Sequence, residues 1–289
     1  MLVPVVALAH DGERHAPSWS GWDIATAAAL LAAGALYARG AWTAGRGIRA
    51  RDALCFAAAL ATCGAVLLTP IATRADVLFS VHMSQHEVLM LVSAPLLVLG
   101  RAPIAALWAL PPSAREGVVA FTKRPRVARA WMAVTAPVVI LVLHGATLWA
   151  WHVPSLFESA LASDAVHALQ HAMFFATAVL FWWALLRGRY GRAGYGLSAV
   201  FVFATMLHSG ILGALLALGR ESWYPTHAAR AAGEGVDPLA DQQLAGVLMW
   251  VPAALVLLVV TLALVASWIG ESEKRVRLSR TAALIREEK

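Results

Sequence analysis

Two histidine pairs are the part of this sequence best suited to chemistry. His82 and His86 are four residues apart, as are His167 and His171, and in both motifs a glutamine directly precedes the second histidine. Residues four apart lie on one face of a helix, one turn above the other. Imidazole is a common ligand of copper, zinc, iron and nickel. The spacing therefore predicts a metal site to which two helices each contribute a histidine pair.

Other side chains are placed to complete such a site. His152 and His208 lie in or beside apolar segments, and Met90 follows one turn beyond the first pair; thioether sulfur favours Cu(I). Asp241 is interpreted as a ligand, as an acceptor that orients an imidazole, or as the N-cap of its own helix. The predicted ligand set is His82, His86, His167, His171, His208, His152, Asp241 and Met90.

The remaining histidines are weaker candidates. His144 lies in an apolar segment, but a lone histidine there is often a hydrogen-bonded packing residue. His10, His15 and His227 lie outside the apolar segments and are interpreted as loop residues without a ligand role. The two pairs differ from these because ionisable groups inside a membrane are costly and mark functional sites by default.

The elements that carry the histidines are predicted to be membrane spans. The chain has 289 residues, of which 60% are hydrophobic and only 14% charged, and its mean hydropathy is +0.68. A soluble domain carries about a quarter charged residues. Seven apolar segments reach the roughly 20 residues that a bilayer requires. We therefore expect an all-α integral membrane bundle of seven transmembrane helices at 21–38, 53–72, 77–99, 131–151, 164–186, 195–219 and 244–269.

The distribution of lysine and arginine predicts the orientation of these spans. The connections 39–52, 100–130, 187–194 and 270–289 hold 19 of the 23 positive residues, and the other connections hold 4. Positive residues collect on the cytoplasmic side, so the N-terminus is predicted outside and the C-terminus inside. All ten histidines then fall on the outer side. The same rule explains the net charge of +6 without a nucleic-acid partner.

The predicted organisation has three parts. Residues 1–20 form an extracytoplasmic N-terminal segment, residues 21–269 the seven-helix transmembrane domain, and residues 270–289 a charged cytoplasmic tail. The long inner connection 100–130 is predicted to carry a short interfacial helix around 104–110. The lipid bilayer is thus a predicted partner of most of the chain, and a homodimer is left open.

Several short motifs follow one another along four of the predicted helices. They are His82-Met83-Ser84-Gln85-His86, Ala94-Pro95-Leu96-Leu97 with Gly100 and Pro103, Trp151-His152 with Pro154, Leu156-Phe157, His167 with His171, Phe181-Trp182-Trp183, Asp241-Gln242-Gln243, Ala245-Gly246 and Met249-Trp250. In this order they resemble the motifs of one known family, the polytopic CtaG-type cytochrome c oxidase assembly factors. The resemblance covers about residues 50–269.

The resemblance implies a function in assembling a haem-copper oxidase, in the bacterial inner membrane. Copper is then the expected metal, bound by the histidines on the periplasmic or extracellular side and passed to a cytochrome c oxidase subunit. Zinc and haem remain alternatives. Two other functions stay open: a membrane oxidoreductase with a haem or di-metal centre held by the paired histidines, and a metal-free scaffold or transporter. We expect an assembly factor or metallochaperone rather than an enzyme.

Overall fold

The described part of the chain is helical, without a strand. The structure is a computed structural model that describes residues 21–68, 70–187 and 194–287. Its helices are α1 Gly21–Ala44, α2 Ala50–Leu67, α3 Pro70–Ala75, α4 Phe79–Glu87, α5 Ala94–Leu99, α6 Ala102–Ala109, α7 Pro112–Thr122, α8 Pro125–Val134, α9 Pro137–Trp151, α10 Pro154–Ala162, α11 Asp164–Arg187, α12 Tyr195–Ala217, α13 Pro225–Gly233 and α14 Pro238–Glu287. A 3₁₀ turn, Gly45–Gly47, and a π-helical turn, Val88–Ser93, join neighbouring helices. The predicted all-α class is confirmed.

The helices include enough long apolar segments for a membrane bundle. Within the described ranges five helices are long and apolar enough to cross a bilayer, namely α1, α2, α11, α12 and α14, and two bent pairs raise the number to seven if each pair is one span. Many large apolar side chains on these helices face outward; Leu31 and Val259, for example, are 75% and 67% exposed. Apolar surface of this extent is expected against lipid. The protein is an integral membrane protein.

The predicted span 131–151 is not one straight helix. It is divided between α8 and α9, which are bent by 57° at Thr135 and Ala136. The cause is Pro137, which has no N–H to continue the helix and forces the preceding residue into extended backbone. Ala136 accordingly has φ −66° and ψ 137°. The straight helical part of this span is therefore α9, and the apolar residues 131–134 belong to the end of α8.

The predicted span 77–99 is a helix with an irregular centre. It runs from α4 through the π-helical turn into α5, and then bends by 51° into α6. Arg101, at the bend, has a left-handed backbone with φ 55°. Helix α6 occupies the position of the short helix predicted around 104–110. The π turn begins two residues after His86, and π turns often occur at functional sites.

Close packing of α12 against α14 holds one side of the core. A Cβ on Gly246 would lie 2.3 Å from the Ala217 nitrogen, and one on Gly213 would lie 2.9 Å from the Gly246 oxygen. Only glycine permits this separation, as is common where membrane helices approach closely. The main buried apolar cluster lies among α4, α9, α10, α11, α12 and α14 and includes Phe79, Phe157, Phe174, Leu216 and Met249. The two histidine-bearing helices, α4 and α11, are therefore fixed on several sides.

Three predicted regions lie wholly or partly outside the described residues. The N-terminal segment 1–20 lies outside them, with His10 and His15, and so does 188–193 in the predicted inner connection 187–194. At the other end, α14 runs without interruption from the predicted last span into the predicted tail, as far as Glu287.

Candidate metal centre

The two histidine pairs face each other from the first turns of α4 and α11. The rings of His82 and His167 stack with centroids 5.3 Å apart, and those of His86 and His171 lie 4.8 Å apart. Within each helix the paired rings are 4.5 Å apart. The i, i+4 spacing thus produces two levels, each with one imidazole from each helix. We call these four residues the four-histidine cluster.

The ligand nitrogens of three of these residues converge. One nitrogen from each of His82, His167 and His171 lies within 4.8 Å of the other two, and the Nε2 atoms of His167 and His171 are 2.9 Å apart. Nitrogens on one ion at about 2.1 Å are at most roughly 4.2 Å apart, so side-chain shifts of about half an ångström would close the group on a metal. His86 lies on the next level, in ring contact with His82 and His171.

Most of these buried nitrogens lack a protein partner. Both ring nitrogens of His82 and of His86, and Nδ1 of His171, have no hydrogen-bond partner within the described part of the chain. His82 is 0% exposed and His86 1% exposed. Leaving a buried polar group unpaired costs about 1–3 kcal/mol, and several occur here together. A cation held by lone pairs on these nitrogens would offset that cost.

Asp241 supports the centre from a neighbouring helix. Its Oδ2 accepts a hydrogen bond from the Phe79 backbone N–H at 2.7 Å, and its Oδ1 accepts bonds from the backbone N–H and hydroxyl of Ser80. The first N–H groups of α4 have no partner within the helix, so Asp241 acts as a cap for α4 across the bundle. The cap of α14 itself is Asp237, whose Oδ1 accepts from the N–H groups of Leu239 and Ala240.

The glutamines of the two motifs differ in their contacts. Gln85 Nε2 donates to the Val66 carbonyl at 2.6 Å and so ties α4 to α2. Gln170 is 0% exposed, and neither its Oε1 nor its Nε2 has a partner among the described residues. The sequence repeat therefore does not correspond to a repeat of contacts.

His152 lies beside the cluster but not in it. It follows the last turn of α9, and its Nδ1 is 2.7 Å from the Leu148 carbonyl. Its ring contacts Phe174 at 6.0 Å between centroids, and Phe174 in turn contacts His86 at 4.6 Å. An aromatic ring thus lies next to both imidazoles, and His152 is a neighbour of the cluster rather than one of its converging members.

His208 lies outside the four-histidine cluster, and Met90 follows the first pair of that cluster in the π-helical turn. His208 pairs instead with His144, with ring centroids 6.4 Å apart, and His144 Nδ1 is 3.1 Å from the Thr177 hydroxyl. Met90 lies inside the π-helical turn and is buried in the main apolar cluster. Its carbonyl accepts a hydrogen bond from Trp182 Nε1 at 2.8 Å. The π turn interrupts the regular helix that placed position 90 on the histidine face.

His227 is the residue that sequence reasoning missed. Interpreted as a loop residue, it is only 2% exposed, and its ring lies 5.5 Å from that of His82 between centroids. Burial lowers the pKa of His227, which favours the neutral imidazole that binds metals. No spacing pattern signals this contact, because it joins α13 to α4 across 145 residues of chain.

The comparison with protein families agrees with the motifs. Residues 35–271 match the cytochrome c oxidase caa3 assembly factor family, Caa3_CtaG. A comparison with curated proteins finds no match. A comparison with solved structures finds none either. Because the match spans far more than half of the chain and includes both histidine pairs, the protein belongs to the cytochrome c oxidase caa3 assembly factor family.

Proposed function

We propose that this assembly factor binds copper at the four-histidine cluster and passes it to a subunit of a haem-copper cytochrome c oxidase. The family establishes oxidase assembly and an oxidase as partner. The observation that supports the copper step is the convergence of ligand nitrogens from His82, His167 and His171, with His86 on the adjoining level.

The ligand chemistry suits copper. Imidazole binds both copper states, and the cluster contains no thiolate, since Cys55 and Cys63 lie in α2 outside the group of converging atoms. A site rich in histidine without thiolate does not hold Cu(I) as tightly as paired cysteines. Moderate affinity is what a protein that releases its metal requires.

We further propose that the end of the bundle that carries the cluster is its outer end, where copper would be handled outside the cell. His82 and His167 are in the first turns of α4 and α11, and α10 and α13 lie at the same end in the connections 152–163 and 220–243. These connections are poor in lysine and arginine, with none and two respectively. By the positive-inside rule this end faces the periplasm or extracellular side.

The ring contacts favour an ion over haem. A haem held by two histidines needs one on each face of the porphyrin. The rings of His82 and His167 stack within 15° of parallel at 5.3 Å and each also contacts His171. Neighbouring imidazoles therefore occupy the space that a porphyrin would need.

The test is metal analysis of the full chain purified in detergent after loading with Cu(II) or Cu(I). We expect copper to co-purify with wild-type protein and to be lost from the double variant His82→Ala/His171→Ala. The matched control is His144→Ala/His208→Ala, which also removes two histidines from the bundle and should retain copper.

Each outcome distinguishes one function from another. Wild-type protein that stays free of copper would overturn copper binding and favour a metal-free scaffold or transporter. Zinc in place of copper, or a Soret band in the absorption spectrum, would overturn the choice of metal. Equal copper loss from both double variants would overturn the assignment of the cluster.

A further inference from the structure

His227 lies in a helix that covers the end of the four-histidine cluster. Helix α13, Pro225–Gly233, belongs to the connection between α12 and α14 rather than to a span. The His227 ring contacts Phe79 and Phe157 with centroids 5.6 and 5.7 Å away, in addition to His82. The His227 imidazole therefore contacts both the cluster, through His82 of α4, and the connecting helix α10, through Phe157.

The hydrogen bond of His227 determines which ring nitrogen is free. Its Nδ1 lies 3.3 Å from the Val77 carbonyl. A carbonyl oxygen only accepts, so Nδ1 carries the proton in this contact and Nε2 holds the lone pair. Nε2 is buried and has no partner in the described part of the chain. Metal-binding histidines typically show this arrangement, in which one nitrogen donates to a backbone carbonyl and the other binds the metal.

Helix α13 is attached to the bundle by polar contacts. The Tyr224 hydroxyl donates to the His152 carbonyl at 2.9 Å, and Arg230 donates to the Asp76 carbonyl at 2.7 Å. Thr226 donates to the Glu158 carboxylate from its backbone N–H, at 3.2 Å, and from its hydroxyl. Hydrogen bonds of this kind each contribute about 0.5–1.5 kcal/mol net. These hydrogen bonds fix His227 beside the cluster.

We infer that His227 is a copper-exchange ligand, which takes the ion from the four-histidine cluster on its way out to the acceptor and gives it to the cluster during loading. This inference rests on the proposed function. Its Nε2 is not one of the converging ligand atoms, and its ring contacts a single cluster imidazole, that of His82, whereas His86 contacts two; we therefore assign His227 to exchange rather than to the resident site. In the exchange, one copper–nitrogen bond to His82 breaks as one to His227 Nε2 forms. The ion keeps its oxidation state, and no proton is transferred because Nε2 is already unprotonated.

The experiment measures copper transfer rather than copper content alone. Full-length protein loaded with Cu(I) under ascorbate is mixed with bathocuproine disulfonate, and the coloured copper complex is followed with time. His227→Phe keeps an aromatic ring against Phe79 and Phe157 but has no ligand nitrogen. We expect it to retain wild-type copper content and to transfer copper about tenfold more slowly, within the 10–100-fold range typical of changes next to a metal site.

A matched control separates loss of the ligand from loosening of the helix. Tyr224→Phe removes one attachment of the same helix and leaves His227 in place, so it should transfer copper at least as fast as wild type. His227→Gln, which keeps a polar side chain, provides a second variant and should also be slow. Thermal melting and elution profiles establish that each variant is folded.

The outcomes are distinguishable. Copper-loaded His227→Phe and His227→Gln that transfer at the wild-type rate or faster would overturn the inference and leave the proposed function intact. Loss of copper from both variants would show a resident ligand and would also overturn it. Wild-type protein that takes up no copper would overturn the proposed function, and the inference with it.

Discussion

The four-histidine cluster and the His144–His208 pair use the same side chain in one bundle, but their geometry differs. In the cluster each ring contacts at least two other imidazoles, at centroid distances between 4.5 and 6.0 Å. His144 and His208 make a single mutual contact at 6.4 Å. In addition, the Thr177 hydroxyl interacts with His144.

The difference shows which arrangement of intramembrane histidines is suited to hold a metal ion. A single histidine can be satisfied by a hydroxyl from an adjacent helix, as His144 is. Two i, i+4 pairs that face each other bring nitrogens of His82, His167 and His171 together, and the ring nitrogens of His82 and His86 have no hydrogen-bond partner among the described residues. His208 resembles the cluster in one respect, because neither of its ring nitrogens has a described partner. The comparison can therefore be tested directly.

The largest expected effect comes from changing one histidine in each region. His86→Ala should weaken copper binding by about 10–100-fold, because it removes an imidazole that contacts two others. His208→Ala should change copper affinity by less than about threefold, since the nearest described imidazole is His144. Competition with a chelator of known affinity measures both. Similar losses in the two variants would mean that His208 shares the copper site, and the contrast between the regions would fail.

An intermediate effect is expected from the carboxylate that caps α4. Asp241→Asn keeps the size of the side chain but replaces a charged acceptor for the Phe79 and Ser80 N–H groups. The first turn of α4, which carries His82, should become less well fixed. We expect copper affinity to fall about tenfold, as for other groups that orient ligands, and the thermal midpoint to fall as well.

Asp237→Asn is the matched control for this prediction. Asp237 caps α14, its own helix, at an exposed position. The change should leave copper affinity unaltered and lower stability only slightly, because asparagine is also a good N-cap. Equal effects of the two substitutions would show that Asp241 acts through general stability rather than by positioning His82.

The sequence predicted the histidine pairs because the relevant information is local. A spacing of four residues determines that His82 and His86, like His167 and His171, share a helix face. Apolar length predicted the membrane helices in the same way. Pro137 could have indicated the bend, since proline removes the N–H that a continuous helix requires. The prediction nevertheless treated 131–151 as one span, because its composition is mostly apolar.

The sequence did not predict the contacts that join distant segments of the chain. Nothing local indicates that His227 reaches His82, that Asp241 caps α4, or that His208 pairs with His144. At Met90 the π turn Val88–Ser93 interrupts the regular helix spacing from which a face shared with His82 and His86 was predicted, and its place in the ligand set stays a prediction. Such turns depend on packing against neighbouring helices more than on a motif in the sequence.

The smallest expected effect on copper comes from Thr177. Its hydroxyl donates to the Met173 carbonyl at 2.9 Å, so His144 Nδ1 is the donor in the contact between them. Thr177→Val keeps the shape and leaves that N–H unpaired, which should lower stability by about 1–3 kcal/mol. Adding His144→Phe removes the unpaired donor as well, and the double variant should recover much of that loss. Copper affinity should equal that of wild type in both. A change of copper affinity in either variant would mean that the His144–His208 pair and the four-histidine cluster are coupled. Helix α11, which carries both Thr177 and His171, would be the connection between them.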